Sequence, residues 1–130
     1  MSKMFSELLK MASEQEQPQR LLFLFIRPEE KNARKQKKLQ KGHLAPVMCV
    51  DKLPEELSGF EALVAEADSI DKSWQLMFVS GLSGSNNQAP STEDAEPYLN
   101  KMTNDLVTGK NIANYLVLDR AGNPIEMMVN

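Results

Sequence analysis

The sequence predicts an α/β domain, on the borderline with α+β, in which helices pack on a single mixed sheet of five strands. Short apolar runs alternate along the chain with stretches in which apolar residues recur every three or four positions, and these two patterns are typical of strands and helices. The 130 residues, 42% hydrophobic and 25% charged, fit one domain over residues 1–130. We expect the order α-β-β-α-β-α-β-β.

The first helix and the first strand are predicted from residues 2 to 27. Ser2 is a suitable N-cap, Pro18 opposes continuation of the helix, and one helical face collects Met4, Phe5, Leu8, Leu9, Met11 and Ala12. The run Arg20–Arg27 (RLLFLFIR) is continuously apolar inside its two arginines and is followed by Pro28. Such a run predicts a strand that is buried on both faces and therefore central in the sheet.

A basic connecting segment, residues 28–44, follows this strand. Its part Lys31–Lys41 (KNARKQKKLQK) has six positive charges and no negative charge, whereas the whole chain nets −3, so all other residues together net −9. The segment lacks the apolar face that would dock a helix on a core, so the sequence leaves open whether it is helical. Such a segment is either a solvated loop or a contact surface for a partner, and the sequence alone does not separate the two. As a contact surface it would be formed by Lys31, Arg34, Lys35, Lys37, Lys38 and Lys41.

The middle of the chain predicts strand, helix and strand. Ala45–Val50 (APVMCV) is a short apolar run that tolerates a proline near its start. A helix is expected to open at Pro54-Glu55-Glu56, because proline and carboxylates suit a first helical turn. Ser73–Ser80 (SWQLMFVS) predicts the third strand.

The last part predicts a loop, a helix and a hairpin. Gly81–Pro90 has the composition of a loop, and Ser91 or Thr92 should cap a helix that ends near Thr108, with Gly109 as its stop. The residues of this helix expected to face the core are Tyr98, Leu99, Met102 and Leu106, with Val107 as a further candidate. Two further strands, 115–118 and 125–129, flank the turn-rich stretch 119–123.

The predicted order contains two β-α-β units, which favour a parallel portion of the sheet with right-handed crossovers. Its β-α-β-α-β-β part resembles thioredoxin-like connectivity. The C-x-x-C motif of thioredoxins is absent, since Cys49 is the single cysteine. A thioredoxin-like order would therefore come without the redox function.

Composition excludes several classes of function. A single cysteine forms no internal disulfide, which favours a reducing, cytoplasmic location. The longest apolar run, Leu21–Ile26, is far shorter than the ~20 residues of a membrane span, so no membrane association is expected. His43 and Cys49 are too few nitrogen and sulfur ligands for a zinc-type centre, and we expect neither a metal nor a cofactor.

A candidate ligand site comprises residues at the predicted carboxyl ends of two strands and at the following helix start: Cys49, Asp51, Gly81, Ser83, Gly84, Ser85 and Thr92. Open α/β sheets place ligands at such ends, and a loop rich in glycine and serine binds phosphates through its backbone N–H groups. Acidic residues at the helix start oppose an anion, so an ordinary flexible loop is favoured. Cys49 lies between apolar neighbours, which favours a buried structural thiol, and Asp51 beside it hinders thiolate formation.

These observations favour a non-catalytic macromolecule-binding domain whose partner is a protein. Nucleic acid is a weaker alternative, because residues 31–41 have no aromatic side chain for base stacking. A small-ligand-binding protein or enzyme with a pocket near Cys49, Asp51 and the 81–85 loop is a second alternative. A third is an immunity or antitoxin-like inhibitor, whose acidic surface would cover a basic nuclease.

Three strings, PQRLLFLFIRPE, APVMCVDKLPEELSGFEALVAEAD and NYLVLDRAGNPIE, resemble a small family of uncharacterised proteobacterial proteins. Its members often carry the label "ribonucleotide reductase subunit alpha". The resemblance implies a bacterial protein of this length and covers nearly the full chain, with the weakest match over residues 28–44. The reductase large subunit needs a radical cysteine and a redox cysteine pair, so the resemblance implies no catalytic residues for a chain with one cysteine.

Overall fold

A computed structural model describes residues 3–28 and 44–126. Its elements follow the chain from one helix into two strands, and then alternate. They are α1 (Lys3–Ser13), β1 (Gln19–Pro28), β2 (Leu44–Lys52), a 3₁₀ turn (Pro54–Glu56), α2 (Phe60–Ile70), β3 (Leu76–Ser83), α3 (Thr92–Thr108), a second 3₁₀ turn (Ile112–Asn114) and β4 (Leu116–Asp119).

The sheet has the order β2-β1-β3-β4, and its three pairings are all antiparallel. The predicted parallel pairing is therefore wrong for the described strands, and a thioredoxin-like order is not confirmed. β2 and β3 do run in the same direction, but β1 lies between them, so the connection through α2 passes over a strand. Element order along the chain therefore does not decide which strands become neighbours.

β1 is a central strand buried on both faces, as its sequence predicts. Residues Leu21 to Ile26 are each at most 2% exposed. The odd-numbered residues Leu21, Phe23 and Phe25 belong to one apolar cluster, and the even-numbered residues of the run belong to the other. Because side chains alternate along a strand, a strand between two cores must be apolar at every position.

Helices cover both faces of the sheet. α1 and α2 bury Phe5, Phe60, Leu63 and Ala67 against one face. The ring of Phe5 lies 5.3 Å from that of Phe60, edge on. α3 buries Ala95, Leu99, Met102 and Leu106 against the opposite face. The domain is therefore a mixed α/β sandwich of helix, antiparallel sheet and helix.

Three predicted boundaries in the middle of the chain are wrong. Pro54–Glu56 forms only a 3₁₀ turn, and α2 begins later, at Phe60. The break follows from Leu57, which is extended and packs against the core, and from Gly59, a weak helix former with φ of 152°. β3 begins at Leu76 rather than Ser73, because Trp74 lies before the strand, where its indole N–H donates to Asp68. β3 then continues to Ser83, through residues that were predicted to be a loop.

α3 matches its prediction closely. The Ser91 hydroxyl accepts a hydrogen bond from the N–H of Asp94, the Asp94 carboxylate accepts one from the N–H of Ser91, and Gly109 ends the helix in the left-handed region at φ 75°. Leu99, Met102 and Leu106 are buried as expected. Tyr98 is not; it is 49% exposed, because it lies one position before Leu99 and outside the buried stripe.

The final hairpin is described up to Glu126. The N–H of Ile125 donates to the carbonyl of Val117 over 2.8 Å, and Leu118 bridges to Pro124. Within residues 3–28 and 44–126 the sheet has four strands rather than the five predicted, and residues 127–129 of the expected fifth strand lie outside the described part. No helix in that part is long and apolar enough to cross a membrane.

Candidate functional site

The predicted ligand residues lie at one end of the sheet. The carboxyl ends of β2 and β3 share this end, because both strands are antiparallel to β1, and the N-terminus of α3 reaches it from above the sheet. β1 separates the two carboxyl ends, so Asp51 and the residues of β3 are not on adjacent strands. The amino end of β1 fills the gap with Arg20.

Asp51 and Thr92, two of the predicted residues, are in direct contact. The Thr92 hydroxyl donates to Oδ2 of Asp51 over 2.8 Å, and the Arg20 guanidinium donates to the same oxygen over 2.6 Å. The Arg20 and Asp51 side chains are only 11% and 14% exposed. Nε of Arg20 also donates to the carbonyl of Pro90 over 2.6 Å. This cluster ties β1, β2 and the start of α3 together.

Arg20 was missed as a site residue by reasoning from sequence. It is the charged residue that opens an otherwise apolar strand, and such a position is ordinarily read as a strand end at the surface. One signal in the sequence could have identified it. Arg20 directly precedes a run that is buried on both faces, so its guanidinium is expected to be partly buried and to require a carboxylate partner. The register supplies that partner, since Leu22 is opposite Asp51 and Arg20 lies one pleat away on the same face.

Gly84 and Ser85 belong to a tight, pinned turn rather than the flexible loop predicted. Ser85 and Gln88 exchange two backbone hydrogen bonds, of 3.1 and 2.9 Å, around Asn86 and Asn87, both with positive φ. This is the type I′ geometry, in which asparagine is favoured because it tolerates the left-handed region. The N–H of Gly84 donates to Pro18, and that of Asn87 to the Gln17 side chain.

The turn leaves few backbone donors for an anion. The N–H groups of Gly84, Ser85, Asn87 and Gln88 are each donated to an acceptor within the chain. A phosphate cradle needs such groups pointing into free space. The geometry therefore gives no support to a phosphate-binding role for this stretch.

Gly81 and Ser83 lie on the other side of the sheet from Asp51 and Thr92. The Ser83 hydroxyl accepts a hydrogen bond from Gln19 over 2.9 Å, and a Cβ built on Gly81 would face Gln19 and Leu21. Leu21 belongs to the core under α1 and α2, whereas Asp51 faces α3. The sheet thus divides the predicted set of ligand residues into two groups.

Cys49 is exposed, which corrects the prediction of a buried thiol. β2 is an edge strand in the described sheet, so its residues are covered on fewer sides than those of β1. Partial burial, and secondarily the negative charge of Asp51, raise the pKa of the Cys49 thiol. As expected from the sequence, Asp51 disfavours the thiolate, and Cys49 is a poor nucleophile at neutral pH.

A recess lies between the Ser85–Gln88 turn and the first turns of α3. It has a volume of about 320 Å³, and its walls include Ser85, Gln88, Pro90, Asp94 and Tyr98. We call it the turn–helix recess. Pro90 is buried, and its carbonyl accepts a hydrogen bond from Arg20. The Arg20–Asp51–Thr92 cluster therefore fixes the position of the wall that contains Pro90.

A second polar cluster surrounds Asp105, which is 3% exposed. Its carboxylate accepts hydrogen bonds from Lys101, Tyr115 and Asn111. The hydrogen bonds from Lys101 and then Tyr115 are the main causes that hold the pKa of Asp105 below its usual range, while burial and Asp105 raise the pKa of Tyr115. A carboxylate that stays ionised and a phenol that stays protonated suit a structural anchor better than acid–base catalysis.

Of the basic connecting segment, the structure describes only the two ends, Pro28 and Leu44. Lys31, Arg34, Lys35, Lys37, Lys38 and Lys41 lie outside the described residues, as does His43. Pro28 and Leu44, on either side, are register partners in the β1–β2 ladder. These two flanking residues lie at the end of the sheet opposite the Arg20–Asp51–Thr92 cluster.

Within the described ranges, no group of three or more histidine, cysteine, aspartate or glutamate side chains is arranged to hold a metal ion. Comparisons of the chain with protein-family models, with curated proteins and with solved structures found no match.

Proposed function

We propose that this chain is a non-catalytic macromolecule-binding domain that recognises an acidic surface of a protein partner through its basic segment. The observation that carries the proposal is the pairing of Pro28 with Leu44. The two flanks of the segment are thereby paired at one end of the sheet, and the sequence puts the six positive charges of Lys31–Lys41 in the connection between them.

The length of the connection supports a role beyond joining two strands. Adjacent antiparallel strands are usually joined by about 2–5 residues, and connections longer than about 12 residues are uncommon and often functional. Residues 29–43 exceed that length between β1 and β2. Because the fold does not require the extra residues, their concentrated charge is best explained by a contact, where it would steer association and fix orientation.

Charge favours a protein over a nucleic acid as the partner. Outside Lys31–Lys41 the chain nets −9, which repels a polyphosphate that approaches the domain closely. The segment has no aromatic side chain for base stacking. An acidic patch on a protein is a local target that the segment can reach while the acidic body stays at a distance.

The resemblance to the small proteobacterial family adds the proposal of a bacterial, cytoplasmic setting. It is supported by the three matching strings and by the cysteine content. A thioredoxin-like arrangement has no further support, because every described strand pair is antiparallel.

Capture of the tagged protein's partners from a bacterial lysate, with and without nuclease, tests the proposal. We expect one stoichiometric protein that survives nuclease and is lost when Lys35, Lys37 and Lys38 are all replaced by glutamate. The matched control reverses three exposed lysines of the described body, Lys10, Lys72 and Lys110, and should retain the partner.

Three outcomes contradict the proposal. Retention of the partner by the Lys35, Lys37 and Lys38 variant would show that the segment is not the contact. Loss of all captured material on nuclease treatment would assign a nucleic acid instead. A basic nuclease that is captured and inhibited equally by both variants would assign the inhibitor alternative.

A further inference from the structure

We infer that the turn–helix recess binds the guanidinium or ammonium group of a basic side chain of a peptide. This site is at the opposite end of the sheet from the basic segment, and it does not depend on the function proposed above. Its argument rests on the walls of the recess, which include one carboxylate, one exposed aromatic ring and the three neutral polar side chains of Ser83, Ser85 and Gln88.

Asp94 provides the charge. Its Oδ2 accepts a hydrogen bond from the N–H of Ser91 over 3.0 Å, while its Oδ1 receives none from the described residues. No lysine or arginine is among the residues that line the recess. An oxygen that receives no hydrogen bond from the described residues, in a recess that none of their cations lines, is suited to accept hydrogen bonds from a cationic ligand.

Tyr98 provides the aromatic face. It follows Asp94 by four residues on α3, so both side chains project from the same side of the helix. Almost half of Tyr98 is exposed although the residue lies beside the core position Leu99. A ring next to a carboxylate favours a guanidinium, which stacks on the ring while it pairs with the carboxylate.

The opposite wall is rigid and polar. The Ser85–Gln88 turn is closed by two backbone hydrogen bonds, and the side chains of Ser85 and Gln88 make no hydrogen bond to described residues. They can accept further hydrogen bonds from a cation. A small anion has little to bind here, because the N–H groups of Gly84, Ser85, Asn87 and Gln88 are already donated within the chain.

The size of the recess fits a single amino-acid side chain better than a larger ligand. A volume of about 320 Å³ is near the lower limit of small-molecule pockets, and the recess is largely open to solvent. An arginine or lysine side chain that extends from a peptide outside the recess can fill it without burying the peptide backbone.

Titration of the ¹⁵N-labelled full chain with N-acetyl-arginine-amide, followed by NMR, tests the inference. We expect saturable shifts at Ser85, Gln88 and Tyr98, and no saturation with N-acetyl-citrulline-amide, which has the same shape without the charge. Tyr98→Ala and Asp94→Asn should each weaken binding about three- to fivefold. Asp94→Asn keeps an oxygen for the N–H of Ser91, so the helix cap is retained.

Glu96→Gln is the matched control, since it removes a carboxylate from the same helix outside the recess, and it should leave the affinity unchanged. Equal shifts with the citrulline compound, or unchanged binding by both Tyr98→Ala and Asp94→Asn, would overturn the inference. Binding of free spermidine tighter than the arginine compound would overturn the assignment to a peptide side chain.

Discussion

The guanidinium carbon of Arg120 lies 4.2 Å from the centre of the Trp74 ring, and the two residues are joined through a third. Oδ1 of Asp68 accepts from the indole N–H over 2.9 Å, and Oδ2 accepts from Arg120 over 2.8 Å. Arg120 also donates to the carbonyl of Trp74. This network fastens the end of β4 to α2 and to the turn before β3.

Arg120→Ala should destabilise the domain by about 1–3 kcal/mol, because it removes the stacking on Trp74 and leaves the Asp68 carboxylate without its cation. Arg120→Lys should recover only a small part of this loss, since an ammonium group neither stacks as a plane nor donates along two directions. Urea unfolding measures both. Lys110→Ala, at an exposed position, is the control, and a loss as large there would contradict the role of the network.

The contact between Thr92 and Asp51 should be measurable by a double-mutant cycle. Thr92→Val should cost about 1 kcal/mol, and Asp51→Ala more, about 2–4 kcal/mol, because it leaves the partly buried Arg20 without a carboxylate. Thr92→Ser keeps the hydroxyl and should be close to the native protein in the same unfolding measurement. A coupling energy near zero between positions 51 and 92 would refute the contact.

Alanine substitutions at Gly84 and Gly81 test the geometry of the Ser85–Gln88 turn, with Gly81 as the control position. A Cβ at Gly84 would overlap the carbonyl oxygen of Gln88 and lie 3.0 Å from that of Pro18, and both are backbone atoms. At Gly81 the nearest atoms are at 3.5 and 3.9 Å, which is ordinary contact. We expect Gly84→Ala to cost about 2 kcal/mol or more and Gly81→Ala less than about 0.5 kcal/mol in thermal unfolding. Equal effects would contradict the turn.

The Asp105 cluster should make stability depend on pH in the acid range. The pKa of Asp105 is lower in the folded protein than in the unfolded chain. Its contribution is therefore fully present above the unfolded value of about 3.9, and it is lost as the pH falls through the lower folded value. Urea unfolding at a series of pH values should show a smaller acid loss for Asp105→Asn than for the native protein.

Tyr115→Phe is the companion variant for this series. It removes one of the hydrogen bonds that lower the pKa of Asp105, so its loss of stability in acid should fall between those of the native protein and Asp105→Asn. An acid profile of Asp105→Asn identical in slope to that of the native protein would show that Asp105 does not titrate with folding.

Of the candidate site, the sequence predicted Asp51 and Thr92 individually but not their contact. It missed Arg20, because the partner of a charge at the end of a strand depends on the strand that becomes its neighbour. It grouped Gly81 and Ser83 with Asp51, although the sheet separates their side chains. Residues 41 positions apart in the chain, such as Asp51 and Thr92, are brought together by the packing of α3, which no local pattern reports.

The sequence by itself determined the features that depend on neighbours along the chain. The apolar run of β1 required burial on both faces, Ser91 and Asp94 set the start of α3, and Gly109 set its end. The tertiary structure alone decided that β1 separates β2 from β3, that every described pairing is antiparallel, and that Cys49 lies exposed on an edge strand. The physical reason is that periodicity and capping depend on residues close together in the chain, whereas strand pairing depends on packing between segments that can lie far apart in it.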